Sequence, residues 1–343
     1  MQRALAAIIV SFAFAVSSWP ACAQADKSPS KAAAELAVLV KGAQAEREVT
    51  FYTAVPDNVA KRVSDGFGAK YGVQARFVRL TSNALVQRYS AESETGNTPA
   101  GFIFLAGDAL PFAERGIKNG WMEPVRAAGL PVILSGEVPA RFITGPTAIV
   151  QVTPWLLAYN TEKVKGADIP KTWADLAHPR WKGQFLLPDP RTSDAYYAIW
   201  AMMVDKLGAP YFAQLRNHNM RQYAGATVAA QALAAGEGEV TAPTTMAIIR
   251  TVKDKGGPID TVTPDLTTGL EMHILLTARS RAKQPNAARL FANYVMSPEG
   301  NKIFNDDPGN ASVYDTATLP KEYQSPISDA VSRKDQILKL LGL

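Results

Sequence analysis

The sequence predicts an α/β protein with two lobes, each a mainly parallel β-sheet flanked by helices. The first observation is an alternation of strand and helix patterns from residue 48 onward, which is typical of parallel sheets with crossover helices. The second is length, since 343 residues exceed what one hydrophobic core usually spans. The sequence contains no internal repeat at a fixed period, so it does not predict a repeat architecture.

The first residues have the pattern of a secretory signal peptide. A positive charge at Arg3 precedes a mostly apolar run over residues 4–16, and small residues suited to cleavage follow. A transmembrane anchor needs about 20 apolar residues, whereas this run breaks at Ser17. We therefore predict a periplasmic mature chain, cleaved after Ala23 or Ala25.

Cysteine usage limits the chemistry of the mature chain. Cys22 is the only cysteine, and the residues before it, Trp19-Pro20-Ala21, do not resemble the Leu and two small residues of a bacterial lipobox. We therefore favour soluble export over lipidation. Cleavage beyond Cys22 leaves no thiol, which excludes disulfides and cysteine metal sites.

The charge balance gives no indication of a polyanionic partner. The formal net charge is +5, from 36 Lys and Arg against 31 Asp and Glu residues. The basic residues form no cluster of five or more. We predict no binding to nucleic acid.

Three strand and helix units are predicted at the start of the mature chain. Residues 30–47 have helix-forming composition, and Asp57 is a candidate N-cap for a second helix with Val59, Val63 and Phe67 on one face. A third helix begins at residues 81–83, with an apolar stripe at Leu85, Val86 and Tyr89. The predicted strands are residues 48–55, 73–80 and 100–107.

The rest of the chain repeats this logic with different spacing. Residues 143–160 form one or two extended runs, and a short buried strand at 185–189 precedes a helix over 194–206. Ser297-Pro298 divides residues 285–304 into two helices. The remaining predictions are helix, strand and helix within 229–257, a strand at 270–280, and a terminal helix with Ile337, Leu338 and Leu341 on its face.

Several stretches resemble the extracellular solute-binding proteins of ABC importers, in the ferric-ion-binding-protein-like branch of the type II periplasmic-binding fold. They occur in the family's order and are REVTFYTAV, FGAKYGVQARFVRLTSNALVQR, LAYNTEKVKGADIPKTWADLAHPRWKGQFLLPDPRTSD, LAAGEGEV and AARLFANYVMSPEGNKIF. The resemblance implies a ligand cleft between two lobes that close like a hinge. It implies a signal peptide at 1–25, lobe 1 at 26–150 and 268–318, and lobe 2 at 151–267 and 319–343.

The resemblance also implies which loops contact the ligand, because open α/β sheets bind ligands beyond the ends of their strands. The loops are residues 53–57, 81–83, 106–108, 191–194, 225–227 and 243–245. The site residues expected there are Thr53, Thr81, Ser82, Asp108, Arg191, Thr192, Ser193, Asp194, Thr227, Thr244 and Thr245.

The segment FLLPDPRTSDAYYAIWAM suggests how the ligand is held. A helix start exposes N–H groups and a positive dipole, Thr192 and Ser193 add hydroxyls, and Arg191 adds a guanidinium suited to phosphate or carboxylate. An ordinary N-cap by Ser193 or Asp194 is the alternative. A carboxylate at Asp194 repels an anion and, if it faces the cleft, indicates an amine or several hydroxyls on the ligand. Residues 81–83 have the same two interpretations.

Iron is the second hypothesis. Ferric-binding relatives have a tyrosine pair where this chain has Thr244 and Thr245, and Pro56 stands near the position of their histidine. The position of their carboxylate corresponds to Ala106 in this chain, and Asp108 lies two residues beyond it. The tyrosine pair at 196–197 is interpreted as core, because adjacent helix positions diverge by about 100°.

No other motif indicates metal or catalysis. His178, His218 and His273 share no ligand spacing, and there is no G-x-S-x-G, H-E-x-x-H or P-loop. We predict a monomeric binding protein, not an enzyme and without a cofactor, that delivers a small polar anionic organic solute to an inner-membrane ABC permease. A phosphonate, phosphate ester or carboxylate is favoured; the alternatives are ferric ion with a synergistic anion, or a subunit that senses a ligand for a receptor.

Overall fold

The computed structural model describes residues 31–343, so the predicted signal peptide and Cys22 lie outside the described residues. The strands are β1 Glu48–Thr53, β2 Gln74–Arg79, β3 Phe102–Leu105, β4 Met122–Glu123, β5 Ile143–Thr144, β6 Thr147–Pro154, β7 Leu156–Asn160, β8 Phe185–Pro188, β9 Arg221–Tyr223, β10 Val240–Thr244, β11 Ile259–Val262, β12 Leu266–Thr267, β13 Gly269–Thr277 and β14 Glu322–Tyr323. The helices are α1 Lys31–Glu46, α2 Asp57–Tyr71, α3 Ser82–Glu94, α4 Ala109–Lys118, α5 Pro131–Leu134, α6 Ala195–Arg216, α7 Ala226–Ala234, α8 Met246–Lys253, α9 Pro285–Met296, α10 Pro298–Phe304 and α11 Lys334–Leu341.

Two sheets form the two lobes. In lobe 1 the strand order is β2-β1-β3-β13-β6-β5, with β4 beside β13; β1 runs parallel to β2 and β3, and β13 runs antiparallel to its neighbours. In lobe 2 the order is β11-β7-β10-β8-β9, and β8 is parallel to both β10 and β9. The two-lobed α/β prediction is confirmed. The sheets are mixed rather than mainly parallel, because β13 and β6 in lobe 1 and β7 in lobe 2, the strands at the crossing between lobes, pair with their neighbours antiparallel.

The chain changes sheets at two adjacent points. β6 ends at Pro154 and β7 begins at Leu156, while Trp155 N donates to Thr268 O over 2.9 Å just before β13 begins. The predicted lobe boundary at residue 150 thus falls inside β6. The terminal helix α11 packs against α6 of lobe 2.

Each lobe has its own apolar core. In lobe 1, fully buried Phe102 stacks on both Phe51 and Phe291, with ring centroids 5.0 and 5.1 Å from its own. In lobe 2, Trp200 and Phe212 of α6 pack on the sheet side of the helix. Such stacked and tilted aromatic pairs bury large areas and stabilise each core.

Local sequence explains the helix ends. Val59, Val63 and Phe67 are buried as predicted, and α2 ends at Gly72, whose φ of 68° suits a left-handed C-cap. The Ser297 hydroxyl accepts from Gly300 N at the predicted break between α9 and α10. Helix α6 continues beyond its predicted end at 206, because Gly208 adopts φ 70° and carries the chain through a kink before Pro210.

Within residues 31–343, none of the helices combines the length and the apolarity needed to cross a bilayer.

Candidate functional site

The lobes meet where the loop after β3 faces the first turn of α6. A Cβ atom at Gly107 would lie 3.5 Å from Ala195 N and 3.7 Å from Asp194 Cβ. Gly107 has φ 77°, a conformation that glycine adopts without steric cost. Glycine is therefore favoured here by its backbone conformation, whereas the contact itself has space for a methyl group.

A cavity of about 940 Å³ lies beside this contact. Lobe 1 contributes the loop at 107–108 and the first turns of α4, and lobe 2 contributes Asp194, Ala195 and Ala198. The start of β13 and the tail at 325–334 complete the wall. A cavity of this size, enclosed by both lobes and by a crossing strand, is where a small molecule would bind.

Carboxylates dominate the charge of the cavity. Asp108, Glu114, Asp194 and Glu271 line it, against one Arg and one Lys side chain. Burial, and next the charge of Asp194, raise the pKa of Asp108. Burial also raises the pKa of Glu271, although Tyr323 Oη donates to its Oε1 over 3.2 Å. The two predicted acids, Asp108 and Asp194, thus face each other from opposite lobes.

His273 reaches the same cavity from β13. Its register partner is Leu105 at the end of β3, and its side chain is 6% exposed. Nδ1 lies 2.8 Å from Thr147 Oγ1. Burial lowers the pKa of His273 to about 4, so the ring is neutral near pH 7.

The first turn of α6 has free backbone donors. Among the described residues, the N–H groups of Ser193, Asp194 and Ala195 have no hydrogen-bond partner. Neither Ser193 nor Asp194 caps the helix through its side chain, which argues against the ordinary N-cap interpretation. Thr192 Oγ1 donates to Asp189 O over 2.7 Å.

Arg191 is engaged locally. Its Nε and Nη2 donate to both carboxylate oxygens of Asp189, at 2.9 and 2.7 Å, and Nη2 also donates to Gln222 Oε1 over 3.1 Å. The Arg191 guanidinium lowers the pKa of Asp189. To contact an anion directly, Arg191 would have to leave this pair.

The remaining predicted residues do not line this cavity. Thr53 is buried, and its Oγ1 accepts from Val55 N over 3.1 Å. Thr244 is also buried, and its hydroxyl has no hydrogen-bond partner among residues 31–343. The others are Thr81 and Ser82 at the start of α3, Thr227 in the first turn of α7, and Thr245 before α8.

The tyrosine pair belongs to the core of lobe 2. Tyr196 and Tyr197 are 7% and 3% exposed, Tyr196 stacks on Trp155 with centroids 5.2 Å apart, and its Oη accepts from Ala226 N over 3.1 Å. In the part of the chain from residue 31 onward, no three His, Cys, Asp or Glu side chains come close enough to share a metal ion.

Sequence reasoning missed several polar residues of the cavity, Glu271 and His273 among them. Glu271 was not considered, and His273 was set aside because it shares no local spacing with another histidine. Both lie on one face of β13, as residues two apart in a strand do. That alternation, beside the switch between lobes, was the available signal.

Comparison with known proteins identifies the family. The profile described as bacterial extracellular solute-binding protein matches residues 110–329. An uncharacterized protein from Haemophilus influenzae is 25% identical over 271 residues, 76% of each chain. The Fe(3+)-binding periplasmic protein of Serratia marcescens is 27% identical over 212 residues, which are 59% of this chain and 58% of the relative.

Solved structures share the fold. Iron-bound HitA from Pseudomonas aeruginosa has a TM-score of 0.68 and 19% identity, covering 86% of this chain and 99% of HitA. AfuA from Actinobacillus pleuropneumoniae, with fructose-6-phosphate bound, has a TM-score of 0.63 and 22% identity, covering 86% of this chain and 96% of AfuA. The chain therefore belongs to the bacterial extracellular solute-binding protein family and has the two-lobed type II fold of periplasmic binding proteins.

Proposed function

We propose that this protein is the periplasmic solute-binding component of an ABC importer and that it captures a small organic anion between its lobes. The observation that carries the proposal is the set of free N–H groups of Ser193, Asp194 and Ala195 where the lobes meet. A phosphate ester, phosphonate or carboxylate is the solute class. Cleavage after Ala23 or Ala25 releases the mature chain, and N-terminal sequencing of secreted protein tests that step.

The start of α6 suits an anion for two physical reasons. Its N–H groups are otherwise unpaired, and 22 helical residues stand behind it, although the kink at Gly208 limits the aligned part. Ser193 adds a hydroxyl, and Arg191 adds positive charge nearby while it remains bound to Asp189. An anion here gains charge-assisted hydrogen bonds without displacing an internal one.

Binding and closure are coupled in this mechanism. The loop at Gly107 belongs to lobe 1 and the helix start to lobe 2, so a solute at their contact touches both lobes only in the closed form. The solute favours closure by its difference in affinity for the closed and open forms. The mechanism does not need the other predicted contacts, which lie outside the lining of the cavity: Thr53, Thr81, Ser82, Thr227, Thr244 and Thr245. The closed form docks on the permease, and no covalent step is involved.

Ferric ion with a synergistic anion is the second candidate. The Serratia marcescens relative, which is named as Fe(3+)-binding, favours it. Asp108 and Asp194 would supply hard oxygen ligands, with the anion at the helix start. The buried positions of Tyr196 and Tyr197 and the threonines at 244 and 245 weigh against it.

A matched pair of variants tests the anion site. Asp194 has φ −59° and follows extended Ser193, at φ −158° and ψ 128°, so proline fits at 194 and removes only an unpaired N–H. Asp194→Ala removes the same carboxylate and keeps the N–H. We expect Asp194→Pro to bind glucose 6-phosphate or methylphosphonate about tenfold or more weakly than Asp194→Ala, because one charge-assisted bond is lost.

Isothermal titration calorimetry measures these affinities on protein that has been unfolded and then refolded to remove bound ligand. Ferric citrate is titrated in parallel. Equal affinities of Asp194→Pro and Asp194→Ala for every organic anion would contradict the helix-start site. Binding of ferric citrate alone would establish the second candidate instead.

A further inference from the structure

The cavity beside the lobe contact contains an acceptor that the anion site does not use. His273 is 6% exposed, and one of its ring nitrogens, Nδ1, is engaged by Thr147 Oγ1. Within the described chain, Nε2 has no hydrogen-bond partner. The fully enclosed polar atoms without a partner do not include Nε2, so part of its surface is accessible. Since the ring lines the cavity, Nε2 is the atom that the cavity reaches.

The hydrogen bonds of Thr147 determine the tautomer of this ring. Thr147 Oγ1 donates its single proton to Thr144 O over 3.1 Å. With that proton on Thr144 O, the Thr147 oxygen is the acceptor for an Nδ1–H of the imidazole, 2.8 Å away. A neutral ring with its proton on Nδ1 has a lone pair on Nε2. His273 consequently presents a hydrogen-bond acceptor to the cavity.

Four carboxylates in the cavity are also acceptors. Asp108, Asp194 and Glu271 add carboxylates, and Glu114 adds a fourth. One of the two cationic side chains, Arg141, already donates to Thr316 Oγ1 over 2.8 Å. Four carboxylates against two cations leave the cavity with a negative charge, among apolar walls such as those from Leu110 and Phe142.

We infer that this cavity is a subsite for an organic ammonium group, with His273 Nε2 as a hydrogen-bond acceptor and the carboxylates of the cavity as the source of negative charge. The inference rests on the proposed function: one solute carries an anionic group at the start of α6 and a protonated amine in the cavity. An ammonium group supplies three donors and a positive charge, whereas a hydroxyl supplies one donor and no charge. The carboxylates lose water when the lobes close, so the charge compensates for their desolvation.

Pairs of phosphorylated probes isolate the ammonium group. Glucosamine 6-phosphate and glucose 6-phosphate differ by an amine against a hydroxyl, and so do O-phosphoethanolamine and 2-hydroxyethyl phosphate. Titration calorimetry on the refolded full mature chain near neutral pH should give at least about tenfold tighter binding for the amine in one pair or both, the effect of a charge-assisted hydrogen bond. Equal or weaker binding of both amines would overturn the ammonium subsite and leave the anion site standing. If none of the four probes binds, the anion site and the subsite both fail.

Thr147 tests the tautomer without contacting the solute. Thr147→Val removes the acceptor for the Nδ1 proton, so the ring no longer has to keep its proton on Nδ1 and the amine preference should fall toward unity. Thr147→Ser keeps the hydroxyl and should keep the preference. The ring ¹⁵N chemical shifts of His273 report the tautomer directly, also in the wild-type protein should Thr147→Val fail to fold. A wild-type ring with its proton on Nε2 would refute the inference.

Discussion

Two substitutions of Gly107 test whether the lobes close on this residue, because they should rank in opposite order for stability and for ligand affinity. Gly107 has φ 77°, and an added Cβ would lie 3.5 Å from Ala195 N and 3.7 Å from Asp194 Cβ. These are ordinary van der Waals distances, so Gly107→Ala fits the contact and acts mainly through backbone strain. We expect that strain to cost about 1–2 kcal/mol of stability, with little effect on closure.

Gly107→Asn reverses the balance between strain and bulk. Asparagine tolerates left-handed backbone better than alanine does, but its amide extends roughly 1.5 Å beyond Cβ, a single carbon–carbon bond. The atoms of Asp194 and Ala195 lie only 3.5 to 3.7 Å from that Cβ. Overlap of this kind costs about 1–3 kcal/mol, which falls on the closed form alone.

The assay compares stability with affinity. Urea unfolding should rank Gly107→Ala as the less stable variant, while titration with the best-binding phosphate ester should rank Gly107→Asn as the weaker binder, by about tenfold to a hundredfold. Small-angle scattering with saturating ligand should show Gly107→Asn less compact than Gly107→Ala. If Gly107→Asn binds and contracts like the wild type, the lobes do not close through this contact and the reasoning is refuted.

Two further predictions concern charge. Glu123→Gln should lower the free energy of unfolding by about 3–5 kcal/mol, because it leaves the 1%-exposed Arg289 without its carboxylate partner. The control is Asp205→Asn, which breaks the exposed pair with Arg333 and should cost under about 1 kcal/mol. Urea unfolding measures both changes. The pKa of Asp108 is raised in the folded chain, so the folded state binds more protons, and wild-type stability falls as pH rises from the ordinary carboxyl pKa through the raised one. Asp108→Asn should therefore be more stable than wild type at neutral pH and should lose this advantage below the ordinary carboxyl pKa. An advantage that persists in acid would contradict this explanation.

Much of the fold was predictable because its signals are local. The apolar faces of α2 and the capping serine before α10 depend on residues within one or two turns of each other. The kink that lengthens α6 was less evident, since a glycine and a proline usually end a helix and here packing of Tyr211, Phe212 and Leu215 in the lobe 2 core outweighs them.

The site was only partly predictable, since its geometry depends on distant residues. The anion hypothesis came from one continuous segment. The same segment contains Asp189, which binds Arg191 two residues away. The acceptor at His273 depends on Thr147, which is 126 positions earlier in the chain, and the facing of Asp108 by Asp194 depends on how two lobes meet. No local pattern encodes either relation.

Opposite electrostatic demands meet at the lobe contact, and this determines where selectivity arises. The start of α6 favours a negative group, while Asp108 and Asp194 beside it favour a positive one. A simple anion would leave the carboxylates uncompensated on closure, and a cation alone would leave the helix N–H groups unpaired. With the inferred ammonium subsite, a solute that carries both kinds of group should stabilise the closed form more than a simple anion does. Solutes should therefore differ less in their initial encounter than in the closed population they produce, since a ligand shifts a conformational equilibrium only by its differential affinity for the two states.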